Sequence, residues 1–366
     1  MLLVGDNMNR WALFLAAAVT ASFLVGCQSN STTSQTSRPD TKYTATLASM
    51  GLSVANPVQH EGVTVVPIVS NKTQKTTSEF ILLDEAQKRG WIVIEEGDMG
   101  FNGVRVKNNG DKPVLLLAGD VVIGGHQDRV IAHDTIIQPG ETKAIEVFCV
   151  EEERSTGPTD RFQASTLPAP YKVRRSAVFS EDQSAVWGSV DSFNSAASAA
   201  PMTKTVQGGL NSEKVQQFVA KNHESLVDKL VSIPNAVGYV VIVRGKPDSA
   251  ELFGSNQMLK TAGARLLKGL QVQAATDVSL GQKPDISEVE KFLANAITGS
   301  RKSAREPSSQ PFGNTRTYAR QRTSQTLNEG RFNVMKSEAK HGVELFDSAK
   351  PGSTIQFVHG SYQAKP

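Results

Sequence analysis

The chain has 366 residues, with 39 Lys and Arg against 36 Asp and Glu and a formal net charge of +3. That balance is too mild to drive binding to nucleic acid, and no nucleic-acid partner is expected. Only 2 cysteines occur, and one ends an N-terminal apolar run, so no intramolecular disulfide framework supports the fold.

The first element is a leader. In MNRWALFLAAAVTASFLVGCQSN, Arg10 precedes an apolar run from Trp11 to Val25, which is followed by Gly26 and Cys27. The run is shorter than the roughly 20 residues of a membrane span and ends in small residues, the layout of a secretory signal. LVGC, Leu24 to Cys27, resembles the bacterial lipoprotein lipobox, whose cysteine is acylated, with palmitate for example, and becomes the N-terminus. Asp6 is out of place in a basic leading segment, which leaves both Met1 and Met8 open as the start. Gln28 stands where an aspartate would imply inner-membrane retention. The expected location is therefore the bacterial envelope, at the outer membrane and facing the periplasm, with the membrane reached through the lipid on Cys27. Residues 1–26 read as the signal peptide. Residues 27–46 read as the lipidated cysteine and a Ser/Thr-rich tether, too poor in apolar groups to offset its ordering entropy. Residues 47–366 read as the folded domain.

From 52 to 152 the signals are mostly strand: VTVVPIVS, WIVIEEGD, GVRVKN and PVLLLAGDVVIGG, separated by Asn-Gly turns. One helix is expected in SEFILLDEAQKRG, capped by Ser78 and closed by Gly90. From 178 helices enter. SEDQSAVWGSVDSFNSAASAA has Ser180 and Gln183 in capping-box spacing and an apolar stripe of Val186, Val190 and Phe193. NSEKVQQFVAKNHESLVDKLVSIP aligns Val215, Val219, Leu226 and Leu230 and stops at Pro234. VGYVVIVRG is a buried strand, AELFGS a short one, and NQMLKTAGARLLKGLQV a helix. The Ser/Arg-rich stretch 299–330 reads as a mobile basic insertion loop, and FNVMKSEAKHGVELFD and STIQFVHGSYQ return as strands. The class is α+β: a β-rich N-terminal part with a long antiparallel hairpin, then helices and further strands.

The hairpin turns at QPGE, around Pro139 and Gly140. If Gln138 faces Glu141, Asp128 lies opposite Glu151, Arg129 opposite Val150, and His133 opposite Glu146. A one-residue change in the turn would instead set Arg129 across from Glu151 and His133 across from Val147. At ~3.3 Å per residue, Asp128 and His133 are about 17 Å apart in a continuous strand. That separation argues against one metal centre built from His126, Asp128, His133 and Asp134. Cys149, among Val147, Phe148 and Val150, reads as a small buried hydrophobe.

AGDVVIGGHQDRVIAHDTIIQPGETKAIEVFCVEEER resembles the ARPP-1 family, the ARG and rhodanese-phosphatase-superfamily-associated protein domain. Gln127, Asp128 and Arg129 take the family's Gln-Asn-Arg positions, Cys149, Val150 and Glu151 its Cys-Val-Glu, and Arg154 its following arginine. The resemblance continues through Gln183 and Trp187 in QSAVWGSV, through VGYVVIVRGKPDSAELFGS, and to His359 in IQFVHGSY, with 299–329 as an insertion. Asp128 replaces an amide, Glu152 and Glu153 alter the spacer, and Ser155 stands where a tryptophan is usual. What the resemblance implies is work near ADP-ribose or nucleotide processing, without a defined reaction.

Gln127, Asp128, Arg129, Glu151 and Arg154 are therefore the candidate binding residues, a charged set able to grip an anionic or nucleotide-like small ligand. Arg129 with Glu151 reads equally as an ion pair at the sheet edge. His126, Gln183, Trp187 and His359 are secondary candidates, each with a plainer reading: a solvated turn residue, a helix cap, a core aromatic and a half-buried strand residue. No phosphate loop, Ser-His-Asp spacing or recognised metal-ligand motif is present, so no catalytic residue, metal or cofactor is assigned. Two functions stay open: a non-catalytic, lipid-anchored ligand-binding or scaffold protein, and a hydrolase acting on ADP-ribose-like or nucleotide-like phosphoesters.

Overall fold

The computed structural model describes residues 41–72, 80–97, 100–180, 182–303, 325–326, 332–337, 342–347 and 356–364. Cys27, the expected signal peptide, most of the expected tether and residues 304–324 of the expected insertion lie outside the described residues.

The described chain begins with a helix, α1 (Thr41–Met50), where the tether was expected to run to residue 46. Tyr43, Leu47 and Met50 fall on one stripe and pack into the core, with Leu47 buried. A tertiary surface thus supplies the burial that local composition lacks. Strands β1 (Leu52–Val54), β2 (Val58–His60) and β3 (Val63–Ser70) follow, and then β4 (Ile81–Leu82) and the short helix α2 (Leu83–Lys88). The expected helix in SEFILLDEAQKRG is therefore half strand. Ile81 and Leu82 pair in parallel with Val114 and Leu115, Leu82 rather than Ser78 stands at the N-cap, and Ser78 lies outside the described residues.

Strands β5 (Ile92–Glu96), β6 (Gly103–Asn108), β7 (Val114–Leu116), β8 (Val121–Gly124), β9 (Arg129–Ile131), β10 (Thr135–Ile137), β11 (Thr142–Cys149) and β12 (Arg161–Ala164) make the β-rich part. In the order β11-β6-β5-β12-β8-β9 they close into a barrel, while β10-β7-β4 forms a separate small sheet. Ile92, Ile94, Val104, Val106, Val122, Ile131, Ile145, Val147 and Phe162 share its core, the alternate residues of strands that each turn one face inward.

Helices α3 (Tyr171–Arg175), α4 (Gln183–Ala196), α5 (Val206–Leu210) and α6 (Glu213–Val231) precede β13 (Ala236–Val243) and β14 (Lys246–Phe253). The expected stripe of α4, Val186, Val190 and Phe193, is buried against Val121, Val130, Phe148 and Val150 on the outside of the barrel. Its N-cap is Asp182, which accepts from the Ala185 amide at 2.8 Å, and not Ser180. After α7 (Asn256–Met258) a π-helical turn, Leu259–Gly263, leads into α8 (Ala264–Ala274). Helix α9 (Ile286–Ser303) occupies the start of the stretch expected as a loop, and β15 (Gln325–Thr326) lies near its end. Strands β16 (Phe332–Ser337), β17 (Gly342–Asp347) and β18 (Gln356–Gln363) close the chain as expected.

These last strands belong to a nine-stranded sheet ordered β1-β3-β13-β14-β18-β17-β16-β15, with β2 beside β3. One face, with Val65, Tyr239, Val241 and Phe253, packs on Leu266, Leu267 and Leu270 of α8 and Leu226 and Leu230 of α6. The other, with Ile68, Val240, Ile242 and Leu252, packs on Leu47 of α1 and Val289, Leu293 and Ile297 of α9. A strand covered on both faces is apolar throughout, which is why VGYVVIV carries no alternation.

Candidate functional site

The expected hairpin is interrupted. β9 pairs with β11 so that Arg129 faces Cys149, Val130 faces Phe148 and Ile131 faces Val147, a register shifted from both that the turn allows. Past Ala132 the chain leaves β11, and Thr135–Ile137 pairs with β7 instead. The physical cause is side-chain demand at the break. The Asp134 carboxylate accepts from the Ala118 amide at 2.8 Å, while His133 keeps the expected contact with Glu146 at 3.0 Å.

Arg129 does not pair with Glu151. Since Arg129, Ile131, Cys149 and Val147 alternate inward, the guanidinium is enclosed at one end of the barrel, wholly buried. There it lies 3.9 Å from Glu96 and 6.0 Å from the centre of the Phe162 ring, and it donates to the Gln127 carbonyl at 2.5 Å. Burial holds its pKa below the ordinary arginine value, against the pull of Cys149 and Glu96.

The partner of Glu151 is Arg154, at 2.6 Å. Glu151 also accepts the Asp128 amide at 3.0 Å, and Arg154 reaches Asp128 at 3.2 Å. Asp128 further accepts from the Gly124 amide at 3.0 Å and the Thr205 hydroxyl at 2.6 Å. Gln127 is buried beside them, its amide donating to the Glu152 carbonyl at 3.4 Å. Asp128, Glu151 and Arg154 therefore come together, with Gln127 at their edge and Arg129 turned away.

The loop over this end is made possible by Gly124 and Gly125, whose φ of 121° and 49° are disfavoured for other residues. A Cβ on Gly125 would sit 2.2 Å from the Phe162 ring and 2.5 Å from Glu96. His126 is half-buried, not merely a solvated turn residue. Its amide donates to Glu96 at 2.6 Å, and its ring lies 3.4 Å from Asp160.

The environments of the two carboxylates differ. Burial raises the Asp128 pKa above the usual carboxylate value, partly offset by Thr205 and Gly124. Burial acts in the same direction on Glu151, but hydrogen bonds from Arg154 and Thr203 outweigh it and hold this carboxyl below its usual value. The Arg154 side chain is 23% exposed, against 4% for each carboxylate. It is the member of the cluster that meets solvent.

A second charged cluster is entirely internal. His359 on β18 has Nδ1 bonded to Asp134 and Nε2 to Glu251 on β14, the latter at 3.0 Å. Arg174 of α3 makes two bonds to Glu251, at 2.6 and 3.2 Å, and a third to the Ser361 hydroxyl at 2.8 Å. Burial opposes charge on the imidazole, yet Asp134 and Glu251 together raise its pKa to about 9. His359 is thus a buried cation, not a half-buried strand residue. Asp134, Arg174 and Glu251 were not among the expected site residues. The available signal was Glu251 itself, a lone carboxylate in the apolar run AELF.

Gln183 bridges α4 to the barrel rather than capping: its side chain accepts from the Cys149 amide at 2.9 Å and donates to the Cys149 carbonyl at 2.8 Å. Trp187 is half-buried on the same helix. Among the described residues, no three His, Cys, Asp or Glu side chains converge as metal ligands, and no helix is long and apolar enough to cross a membrane.

The family model for the ARG and Rhodanese-Phosphatase-superfamily-associated Protein domain matches residues 51–341. The chain belongs to the ARPP-1 family. No curated protein and no solved structure matches it. The ARPP-1 match spans the barrel, helices α2 to α9 and most of the nine-stranded sheet, and both charged clusters have members inside it. His359 and Ser361 fall beyond its end.

Proposed function

We propose that this ARPP-1 protein is a non-catalytic ligand-binding or scaffold module, anchored by the lipid on Cys27 at the bacterial outer membrane and facing the periplasm. The ligand is an anionic, nucleotide-like small molecule held at Asp128, Glu151 and Arg154, with Gln127 at the rim. One observation carries the non-catalytic reading: both carboxylates are loaded with donors. Glu151 takes the Asp128 amide and Arg154, while Asp128 takes the Gly124 amide, Thr205 and Arg154. Glu151, held below its usual pKa by those donors, is a poor base, and each donor on Asp128 opposes the rise that burial gives it, because accepting a proton would cost either carboxylate its bonds. Arg154, the most exposed member, is suited to exchange its carboxylate for a ligand anion.

A hydrolase acting on ADP-ribose-like phosphoesters is the second reading. It is favoured by the opposite displacement of the two carboxyl pKa values, Asp128 upward and Glu151 downward, the pattern that separates an acid from a base. The test is a screen of full-length protein against ADP-ribose, nucleotide diphosphates and sugar phosphates, with binding and turnover measured together. Saturable binding without product supports the module. Turnover that Asp128→Asn removes establishes the hydrolase instead.

A further inference from the structure

A cleft of about 490 Å³ runs between α4 and the end of α8 and shares no residue with the Asp128–Glu151–Arg154 cluster. That volume falls within the ~300–1,000 Å³ of small-ligand sites. On the α4 side the wall is Ala185, Gly188, Ser189, Ser192 and Ala196, positions that share one face of the helix. All five are small, so the helix backbone lies close to the cleft and the space beside it stays open. Phe193, 2% exposed, is the buried apolar member of the lining.

The opposite wall is polar: Lys172 of α3, Gln273 near the end of α8, and Thr276 and Asp277 just after it. Gln273 is 4% exposed. Its Oε1 accepts the Lys172 amide at 3.1 Å, but its Nε2 has no partner among the described residues. A buried amide with unused donors is costly unless something in the space it faces accepts from them. The Lys172 ammonium lies 2.8 Å from Asp277, its side chain 52% exposed. Asp277 also takes the Ser279 amide at 2.9 Å, so one ammonium hydrogen is engaged and two are left. The Ser192 and Thr276 hydroxyls donate to the Gly188 and Gln273 carbonyls, at 2.8 and 3.0 Å. Their oxygens are left as acceptors.

We propose that this cleft binds the carboxyl-terminal end of a short, extended peptide. The terminal carboxylate accepts from Gln273 Nε2 and from the Lys172 ammonium, and peptide N–H groups donate to the Ser192 and Thr276 oxygens. The wall from 185 to 196 is about 16 Å long, the reach of about five extended residues. Lys172 and Asp277 cancel in charge, which favours a singly charged carboxylate over a phosphate dianion. Phe193 is too enclosed to offer its face to a sugar ring, which counts against a carbohydrate.

Tetra-alanine and its carboxyl-terminal amide are titrated by calorimetry into full-length wild type, Lys172→Met, Gln273→Glu and Gly188→Leu. Gly188 is exposed and a Cβ there meets nothing within 4 Å, so Gly188→Leu fills the cleft without a clash, and a Tm no lower than wild type checks the fold. Wild type should bind the acid saturably and the amide about tenfold more weakly, the worth of a charge-assisted hydrogen bond. Lys172→Met should bind both peptides alike, with the affinity wild type has for the amide. Gln273→Glu keeps an acceptor for the Lys172 amide but sets a carboxylate oxygen in place of the free donor, and should lose the acid about tenfold or more. Gly188→Leu should weaken both peptides by at least that factor. Wild-type affinity for the acid in Gly188→Leu or Gln273→Glu would overturn the proposal, as would equal affinity of wild type for acid and amide. Absence of saturable tetra-alanine binding to wild type would overturn it as well.

Discussion

Asp134 and His359, 225 residues apart in the chain, meet as a buried ion pair with Phe253 stacked on the imidazole at 4.4 Å between ring centroids. The contact ties the last strand to the segment where the barrel strand breaks. Glu251 and Arg174 complete the charge balance on its other side.

The pair makes stability depend on pH. The His359 pKa is raised from 6.5 to about 9, so its contribution is complete below about pH 6.5 and lost as pH rises through about 9. It amounts to about 3 kcal/mol. The Asp134 and Glu251 pKa values are depressed, burial being outweighed by His359 for the first and by Arg174 and His359 for the second. Their contributions are therefore lost in the acid direction. Tm should fall between pH 6.5 and 9.5 in the wild type, and His359→Gln should have a lower Tm with little slope across that window. An equal slope in the variant would assign the effect to other groups.

Arg129 is enclosed in the barrel, so Arg129→Ala should cost about 3–5 kcal/mol in urea unfolding, as expected when one partner of a buried charge set is removed. Arg129→Met, of similar length and uncharged, should recover part of the loss by refilling the space. A change within about 1 kcal/mol for Arg129→Ala, the range of exposed pairs, would contradict the enclosure.

Cys149 is 3% exposed, and burial raises its thiol pKa, with Arg129 pulling the other way. Both burial and a scarce thiolate slow alkylation. Native protein should resist thiol reagents and react once unfolded in urea. Rapid labelling of Cys149 in the folded state would count against this packing.

Cys27→Ala should move the protein from the membrane fraction to the soluble periplasm with its Tm unchanged, because acylation gives membrane affinity without a packed contact in the domain. Wild-type protein found soluble and unacylated would remove the anchor from the proposed function.

Much of the chain was legible from local pattern. The strand runs VTVVPIVS, GVRVKN and VGYVVIVRG, the stripe of Val186, Val190 and Phe193, and the burial of Cys149 follow from branched-residue content and periodicity, which act within a few residues. Asp128, Glu151 and Arg154 were also recognisable as a group, because a hairpin brings its two ends together whatever its register. The register itself was not legible: Arg129 falls opposite Glu151, Val150 or Cys149 as the register shifts one residue at a time, and the turn does not choose among them. Only barrel closure, which needs the apolar faces of β9 and β11 turned inward together, decides between them. Residues 41–50 and 286–303 show the same limit, since α1 and α9 become ordered by packing on the sheet and on each other. The partners of Asp134 were least legible of all. A carboxylate in a strand carries no local mark of whether it faces water or a histidine 225 residues away, and that choice is made when the final strand joins the sheet and excludes solvent from both.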